Sequence, residues 1–252
     1  MKKKFIFPVL LIMIAACNSN QPPASQADST LSNTGTDTVT TATPAPPVAG
    51  TYQGTLPCAD CPGMDYQLSL YSNHSFSELV AYRGRGQAIA SVDTGHWKQA
   101  TDSTVILEKK KDSSSFLLAE GKLLVLDAKG NRIGGVLASN YVLKPVEGGD
   151  RRALLAEKAK AGIRFTANGN EPGWTLDLDK KKIYFHTMNN DSLQVSLPAA
   201  RPNTDTLKVY TTKDITVSIR NTMCIDDMSG LMRPNTVQVQ VKDKTYQGCG
   251  EY

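Results

Sequence analysis

The residues with the most chemistry to offer are Cys58 and Cys61, in the run Leu56-Pro57-Cys58-Ala59-Asp60-Cys61-Pro62-Gly63. A thioredoxin-type CxxC needs its first cysteine at a helix N-terminus, where the macrodipole lowers the thiol pKa. Here the strand pattern Thr51-Tyr52-Gln53-Gly54 precedes the pair, and Pro62-Gly63 and a strand beginning at Met64 follow it. That context argues against an oxidoreductase and leaves two readings. The pair is either a small disulfide-closed loop on a β scaffold or a labile bond, which on reduction yields two soft thiolates suited to Cu(I) or Zn. Chain-entropy arithmetic gives about 2 kcal/mol for this short ring, against about 3.5 kcal/mol for a ring from Cys224 to Cys249. The CxxC bridge is the weaker staple and the better candidate for a responsive bond.

The fifth cysteine, Cys17, stands apart. It follows Met1, the lysines Lys2, Lys3 and Lys4, an apolar run from Phe5 to Ile14, and Ala15-Ala16. This is the pattern of an export signal with a small-residue cleavage junction. The run is shorter than the roughly 20 apolar residues of a membrane-spanning helix. Ile14-Ala15-Ala16-Cys17 resembles a bacterial lipobox, which implies cleavage before Cys17 and acylation of its thiol, and several acyl chains together anchor stably. With Cys17 lipidated, an even number of cysteines remains in an oxidising compartment, which reads as two disulfides. Three connectivities are possible. Pairing Cys58 with Cys61 and Cys224 with Cys249 keeps each bridge inside one candidate domain.

Other polar groups are sparser. Asp226 and Asp227, beside Ser229, could hold a cation, and Met188, Met223, Met228, Met232 and His186 could offer soft ligands to Cu(I). His74, His96 and His186 are far apart, and His96, next to Trp97, is expected at a buried or ligand-facing position. No H-E-x-x-H, G-x-S-x-G or phosphate-cradling glycine loop occurs, which argues against an enzyme. Removing residues 1–16 takes three of the 28 Lys and Arg and none of the 24 Asp and Glu, so the formal charge falls from +4 to +1. Such a chain needs no nucleic acid as partner.

The elements that must position these groups follow from hydropathy patterning. Residues 18–47 hold 16 Ser, Thr or Pro and, as larger aliphatics, Leu31 and Val39, too little apolar surface to fold. They read as a tether with a root-mean-square span of roughly 30 Å. From Gly50 to Val146, apolar and polar residues alternate between turn clusters. Tyr66-Leu68-Leu70, then Ser72-Asn73-His74-Ser75, then Phe76-Glu78-Val80-Tyr82 predicts a hairpin. About eight such strands predict an antiparallel sandwich or barrel. Asp150 to Lys160 reads as a short helix with Asp150 as N-cap and Gly162 as its stop. Ile163 to Tyr252 returns to strand patterning, with Gly169-Asn170-Glu171-Pro172-Gly173 as turn chemistry and Trp174 in the core.

Taken together, Gly50-Thr51-Tyr52-x-Gly54-x-Leu56-Pro57-Cys58-Ala59-Asp60-Cys61-Pro62-Gly63, Leu124-x-Leu126-Asp127-x-x-Gly130 and Tyr141-x-Leu143 resemble the N-terminal domain of the NlpE family. The resemblance implies an outer-membrane lipoprotein with a lipocalin-like barrel, linked to copper tolerance and to envelope-stress signalling through a membrane sensor protein, with Cys58 and Cys61 as the family's CxxC. Asn18, after the acylated cysteine, favours the outer membrane. Residues 163–252, with their GNEPGW, C-x-D-x-MSG and Y-x-GCG series, resemble a small bacterial envelope domain without an established activity. That second resemblance also implies a bridge from Cys224 to Cys249.

The expected organisation is a signal peptide over 1–16, a tether over 17–47, an NlpE-like barrel over 48–147, a helical linker over 148–162 and a disulfide-bridged β domain over 163–252. The expected fold class is all-β. The expected function is a lipid-anchored sensor or binding module for envelope stress, surface contact or copper and redox stress, with Cys58 and Cys61 as metal ligands only when reduced. The alternative is a carrier of copper or a small apolar ligand inside the barrel. A roomy apolar cavity with convergent polar groups would favour the carrier.

Overall fold

Alternation of inward and outward side chains gives each segment of the first half one face for a core. The computed structural model describes residues 48–84, 88–110 and 112–252, so Cys17, the signal region and the tether lie outside the described residues. Eight strands follow in chain order: β1 (Gly50–Leu56), β2 (Met64–Leu70), β3 (Ser75–Tyr82), β4 (Ala90–Gln99), β5 (Thr104–Glu108), β6 (Ser113–Ala119), β7 (Lys122–Val125) and β8 (Val142–Val146). Each pairs antiparallel with its neighbour. β8 returns to β1, with Tyr52 opposite Pro145, so the sheet closes into an up-and-down barrel and its edges disappear.

Apolar side chains fill the barrel from the end where β1 begins. Tyr52, Leu68, Leu70, Phe76, Trp97, Leu107, Phe116 and Leu143 pack there as a buried core. Trp97 donates its indole N–H to the Tyr71 carbonyl at 3.0 Å, and His74 stacks on its ring with centroids 4.7 Å apart. The expectation for His96 is corrected: its neighbour on the strand turns inward, so by the two-residue period His96 points out and is exposed. His74, in the turn beyond β2, is the histidine that meets the tryptophan.

Helix α1 (Arg152–Lys160) joins the halves. Its N-cap is Arg151 rather than Asp150, although the Asp150 carboxylate still accepts the Arg152 backbone N–H at 3.1 Å. Gly162, at φ +86°, ends it. The second half contains β9 (Phe165–Asn170), β10 (Gly173–Leu178), β11 (Lys182–Thr187), β12 (Ser192–Ser196), β13 (Leu207–Thr211), β14 (Thr216–Arg220), β15 (Cys224–Ile225), β16 (Met232–Arg233), β17 (Asn235–Val241) and β18 (Lys244–Glu251). Eight of these form one sheet in the order β12-β11-β10-β9-β18-β17-β14-β13, and β15 with β16 makes a separate ribbon. Trp174, Leu176, Phe185, Val217, Val237 and Tyr246 form the core of this sheet. Gly169 and Asn170 belong to β9, so the turn is narrower than the sequence pattern suggested.

The second half seats on the outer wall of β2, β3 and β4. Leu79, Ala81 and Ala90 are buried without belonging to the barrel core. Gln67 clasps the ribbon: its amide oxygen accepts the Met232 backbone N–H at 2.9 Å, and its Nε2 donates to the Met232 carbonyl at 3.2 Å. Ile89 bridges to Thr222, and the Met223 N–H donates to the Ala88 carbonyl at 2.8 Å.

Candidate functional site

The CxxC loop joins β1 to β2 at the barrel end opposite the apolar plug. The sulfurs of Cys58 and Cys61 are bonded, with Cα atoms 5.2 Å apart, and both residues are partly exposed. The base of the loop is locked by Asp65, a buried carboxylate. Arg83 donates to it through Nε at 2.8 Å and Nη2 at 2.5 Å, and the Thr55 hydroxyl donates to it at 3.0 Å. The Arg83 backbone N–H also donates to the Gly63 carbonyl at 2.9 Å. Pro62 lies against Gly84, where a Cβ would stand 2.8 Å from the proline ring at φ +75°, so the loop rests on the β3–β4 connection. These contacts fix the backbone on either side of the ring while leaving the sulfurs at the surface.

One donor of a third kind is present. The Asp60 carboxylate lies 3.5 Å from Cys58 Sγ, and ligand atoms of Cys58, Asp60 and Cys61 all fall within 4.8 Å of one another. This is the one such group of three His, Cys, Asp or Glu residues among the described residues. While the sulfurs are bonded they are not thiolate ligands. A soft ion fits this donor set only after reduction.

Beneath the loop, the barrel interior opens into a cavity of about 570 Å³ that includes Leu56 and Met64 at its wall. Its polar lining was not singled out from sequence. Glu78 is buried, accepts the Tyr66 hydroxyl in a close hydrogen bond and pairs with Lys109 at 2.7 Å. Burial, reinforced by the charge and hydrogen bond of Glu78, pushes the Tyr66 phenol well above its ordinary pKa. Asp93, Asp112, Ser91 and Ser114 complete the polar wall. A trace of this was legible: Glu78 occupies the apolar row of Phe76-Glu78-Val80, where a charge must find a partner inside. Polar groups thus share the cavity wall with Leu56, Met64, Val80, Phe116 and Val125.

Other candidates resolve differently. Cys224 and Cys249 are bonded, tying β15 to β18, with Cys249 buried. Asp226 is not an open cation ligand. Its Oδ1 accepts the Met228 and Ser229 backbone N–H groups and the Ser229 hydroxyl, at 3.2, 3.0 and 2.9 Å. Its Oδ2 faces Asn168 and Arg233. The lone pairs a cation needs are committed to holding the loop. Met188 and Met228 are over four-fifths exposed and His186 is exposed, while Met223 and Met232 lie at the seam between the halves, so these soft ligands are dispersed.

Sequence comparison locates this geometry among known proteins. Residues 52–136 match the family model of the NlpE N-terminal domain. Lipoprotein NlpE of Escherichia coli is 29% identical over 102 residues, which cover 40% of this chain and 42% of that protein. The match thus spans under half the length of that relative. A candidate lipoprotein of Shewanella oneidensis, solved as a crystal structure, is 36% identical over 40% of this chain and 90% of its own, with a TM-score of 0.36. The crystal structure of NlpE from Escherichia coli, described as the Cpx pathway activator, aligns over 79% of this chain and 94% of that one at 17% identity and a TM-score of 0.32. The barrel that carries Cys58 and Cys61 is therefore similar to the NlpE N-terminal domain, with residues 52–136 as the extent of the likeness.

Proposed function

We propose that the chain is a lipid-anchored protein of the outer membrane that senses copper or redox stress in the envelope, with Cys58 and Cys61 as the responsive element. It is not an enzyme in this reading. The observation that carries the proposal is the partly exposed Cys58–Cys61 bond, clamped at its base by Asp65 and Arg83 and accompanied by Asp60. A rigid base lets the bond open while the barrel stays closed. Reduction then leaves two thiolates at the rim, soft donors suited to Cu(I), with the Asp60 carboxylate beside them. The likeness to Lipoprotein NlpE supports an envelope setting, and an envelope sensor protein is the proposed partner.

The test is a titration of the intact protein with a dithiol reductant, then with Cu(I) against a chromophoric chelator. Cys58–Cys61 should open first, because both of its cysteines are partly exposed whereas Cys249, at 3% exposure, buries one sulfur of the other bridge. The reduced protein should then take up Cu(I), and Cys58→Ala/Cys61→Ala should remain folded, fail to take it up and lose the copper-dependent stress response. Opening of both bridges together, only on unfolding, would make the CxxC a structural clasp and refute the sensor.

A further inference from the structure

We infer that the groove between the barrel wall and the second sheet is a binding site for a small polar molecule carrying an oxyanion group, a carboxylate or a phosphate. The groove encloses about 570 Å³, within the range of small-ligand pockets, and junctions between domains are where such pockets concentrate. It is separate from the CxxC mouth. The barrel contributes Ser69, Ser77, Thr94 and Tyr71 beside Leu79, Ala90 and Val92, so polar and apolar side chains share the wall.

Charge decides the sign of that guest. Arg151, Arg152, Lys208 and Arg233 line the groove, against the carboxylates of Asp205 and Glu251. Asp150 and Asp226 pair with Arg152 and Arg233 without lining it. Four cationic side chains thus line the space against two carboxylates. Glu251 Oε1 alone serves two guanidiniums, accepting from Arg151 Nε at 2.5 Å and from Arg233 Nη1 at 2.8 Å.

Arg233 supplies the second, independent sign. It is 4% exposed, yet its Nε–H has no hydrogen-bond partner among the described residues. A buried donor left unpaired is costly, and a buried guanidinium more so. Burial, with Arg151 adding like-charge repulsion, pulls the Arg233 pKa down against the pull of Glu251 and Asp226. Nη1 and Nη2 already face Glu251 and Asp226, so an oxyanion accepting from the unpaired Nε–H would relieve both penalties with a charge-assisted hydrogen bond. Arg152, 3.6 Å over the Tyr71 ring and held by Asp150 and Asn73, also lines the groove.

The experiment uses the full-length chain in detergent and three probes: trialanine, its C-terminal amide and glycerol 3-phosphate. The readout is the arginine Nε–H signals in a nitrogen-15 NMR titration. At least one oxyanion probe should saturate with a Kd below about 10 mM and move the Arg233 Nε–H signal. The amide should bind at least about tenfold more weakly than trialanine if trialanine is the probe that binds. Saturation by trialanine alone identifies a peptide carboxylate as the guest, by glycerol 3-phosphate alone a phosphate ester, and by both a general oxyanion site. Arg151→Gln and Arg152→Gln, both at partly exposed positions, should each weaken binding by about tenfold while the rest of the spectrum keeps its dispersion. The inference is overturned if neither oxyanion probe saturates, if the amide binds as well as trialanine, or if both substitutions leave the affinity unchanged. None of these outcomes involves Cys58 or Cys61, so they stand apart from the test of the sensor.

Discussion

Glu78 is the residue whose chemistry is most at odds with its position. A strand that turns Phe76 and Val80 into a barrel also turns Glu78 inward, and the charge is tolerated because Lys109 pairs with it and the Tyr66 hydroxyl donates to it. Both side chains of the ion pair are largely buried. Removing one partner leaves the other charge uncompensated in a poorly solvated site, which typically costs about 3–5 kcal/mol. Glu78→Gln should therefore lower the urea midpoint of the barrel strongly, and adding Lys109→Met should recover much of the loss. An additive double variant would show that the two groups are independently solvated. Cys58 and Cys61 follow a different logic. Their ring is short, so its entropy adds little to stability, and their importance rests on access and on what the thiols can bind.

At the scale of elements, the loop between β15 and β16 shows how one carboxylate organises a segment. Burial pushes the Asp226 carboxyl up, but hydrogen bonds from Ser229, the charge of Arg233 and the Asn168 amide outweigh it and hold the group below the usual carboxylate range. A depressed carboxylate contributes stability above its unfolded pKa and loses it as pH falls through the folded one. The gap in urea midpoint between the native protein and Asp226→Asn should be full at neutral pH and close as pH drops below about 4. A gap that stays constant with pH would assign the effect to shape rather than charge. The neighbouring bridge secures the same ribbon to β18, and Cys224→Ala/Cys249→Ala should cost the second half about 2–4 kcal/mol, read by denaturant unfolding. β18 itself is hard to recognise in sequence. Gly248 and Gly250 interrupt its apolar pattern, yet a Cβ at these positions would stand 2.8 Å from the Trp174 ring and 2.4 Å from that of Phe165. The glycines make room for the aromatic core.

For the whole molecule, the seam along β2, β3 and β4 decides whether the two halves behave as one body. Gln67 replaces two missing backbone partners of Met232, and Leu79, Ala81 and Ala90 are buried beneath the second half. The halves should unfold in one transition followed alike by Trp97 in the barrel and Trp174 in the second sheet. Gln67→Ala should separate the two transitions by leaving the ribbon backbone unpaired, at a cost of about 1–3 kcal/mol. Coincident transitions in the variant would mean that apolar burial alone couples the halves. This seam also builds the arginine groove, because Ser69 and Tyr71 come from the barrel while Arg233 and Glu251 come from the second half.

The amino-acid sequence by itself determined the all-β class, the strands of the first half, the position of the CxxC in a loop ahead of a strand and the likeness to the NlpE N-terminal domain. Each depends on interactions between near neighbours: alternation along a strand, glycine and proline at turns, cysteine spacing within a loop. The strand pattern left a sandwich or a barrel open, and the family likeness implied the barrel that the eight strands form. The tertiary structure alone decided that Trp97 is capped by His74 rather than followed inward by His96, and that Asp226 holds a loop instead of a cation. It also brought Glu78 to Lys109, and Arg151 and Arg233 to Glu251. These pairings join residues far apart in the chain, and no local period encodes which inward or seam-facing charges will meet. Closure of the sheet, and the packing of one half on the wall of the other, select the partners because a buried charge without one is too costly to keep.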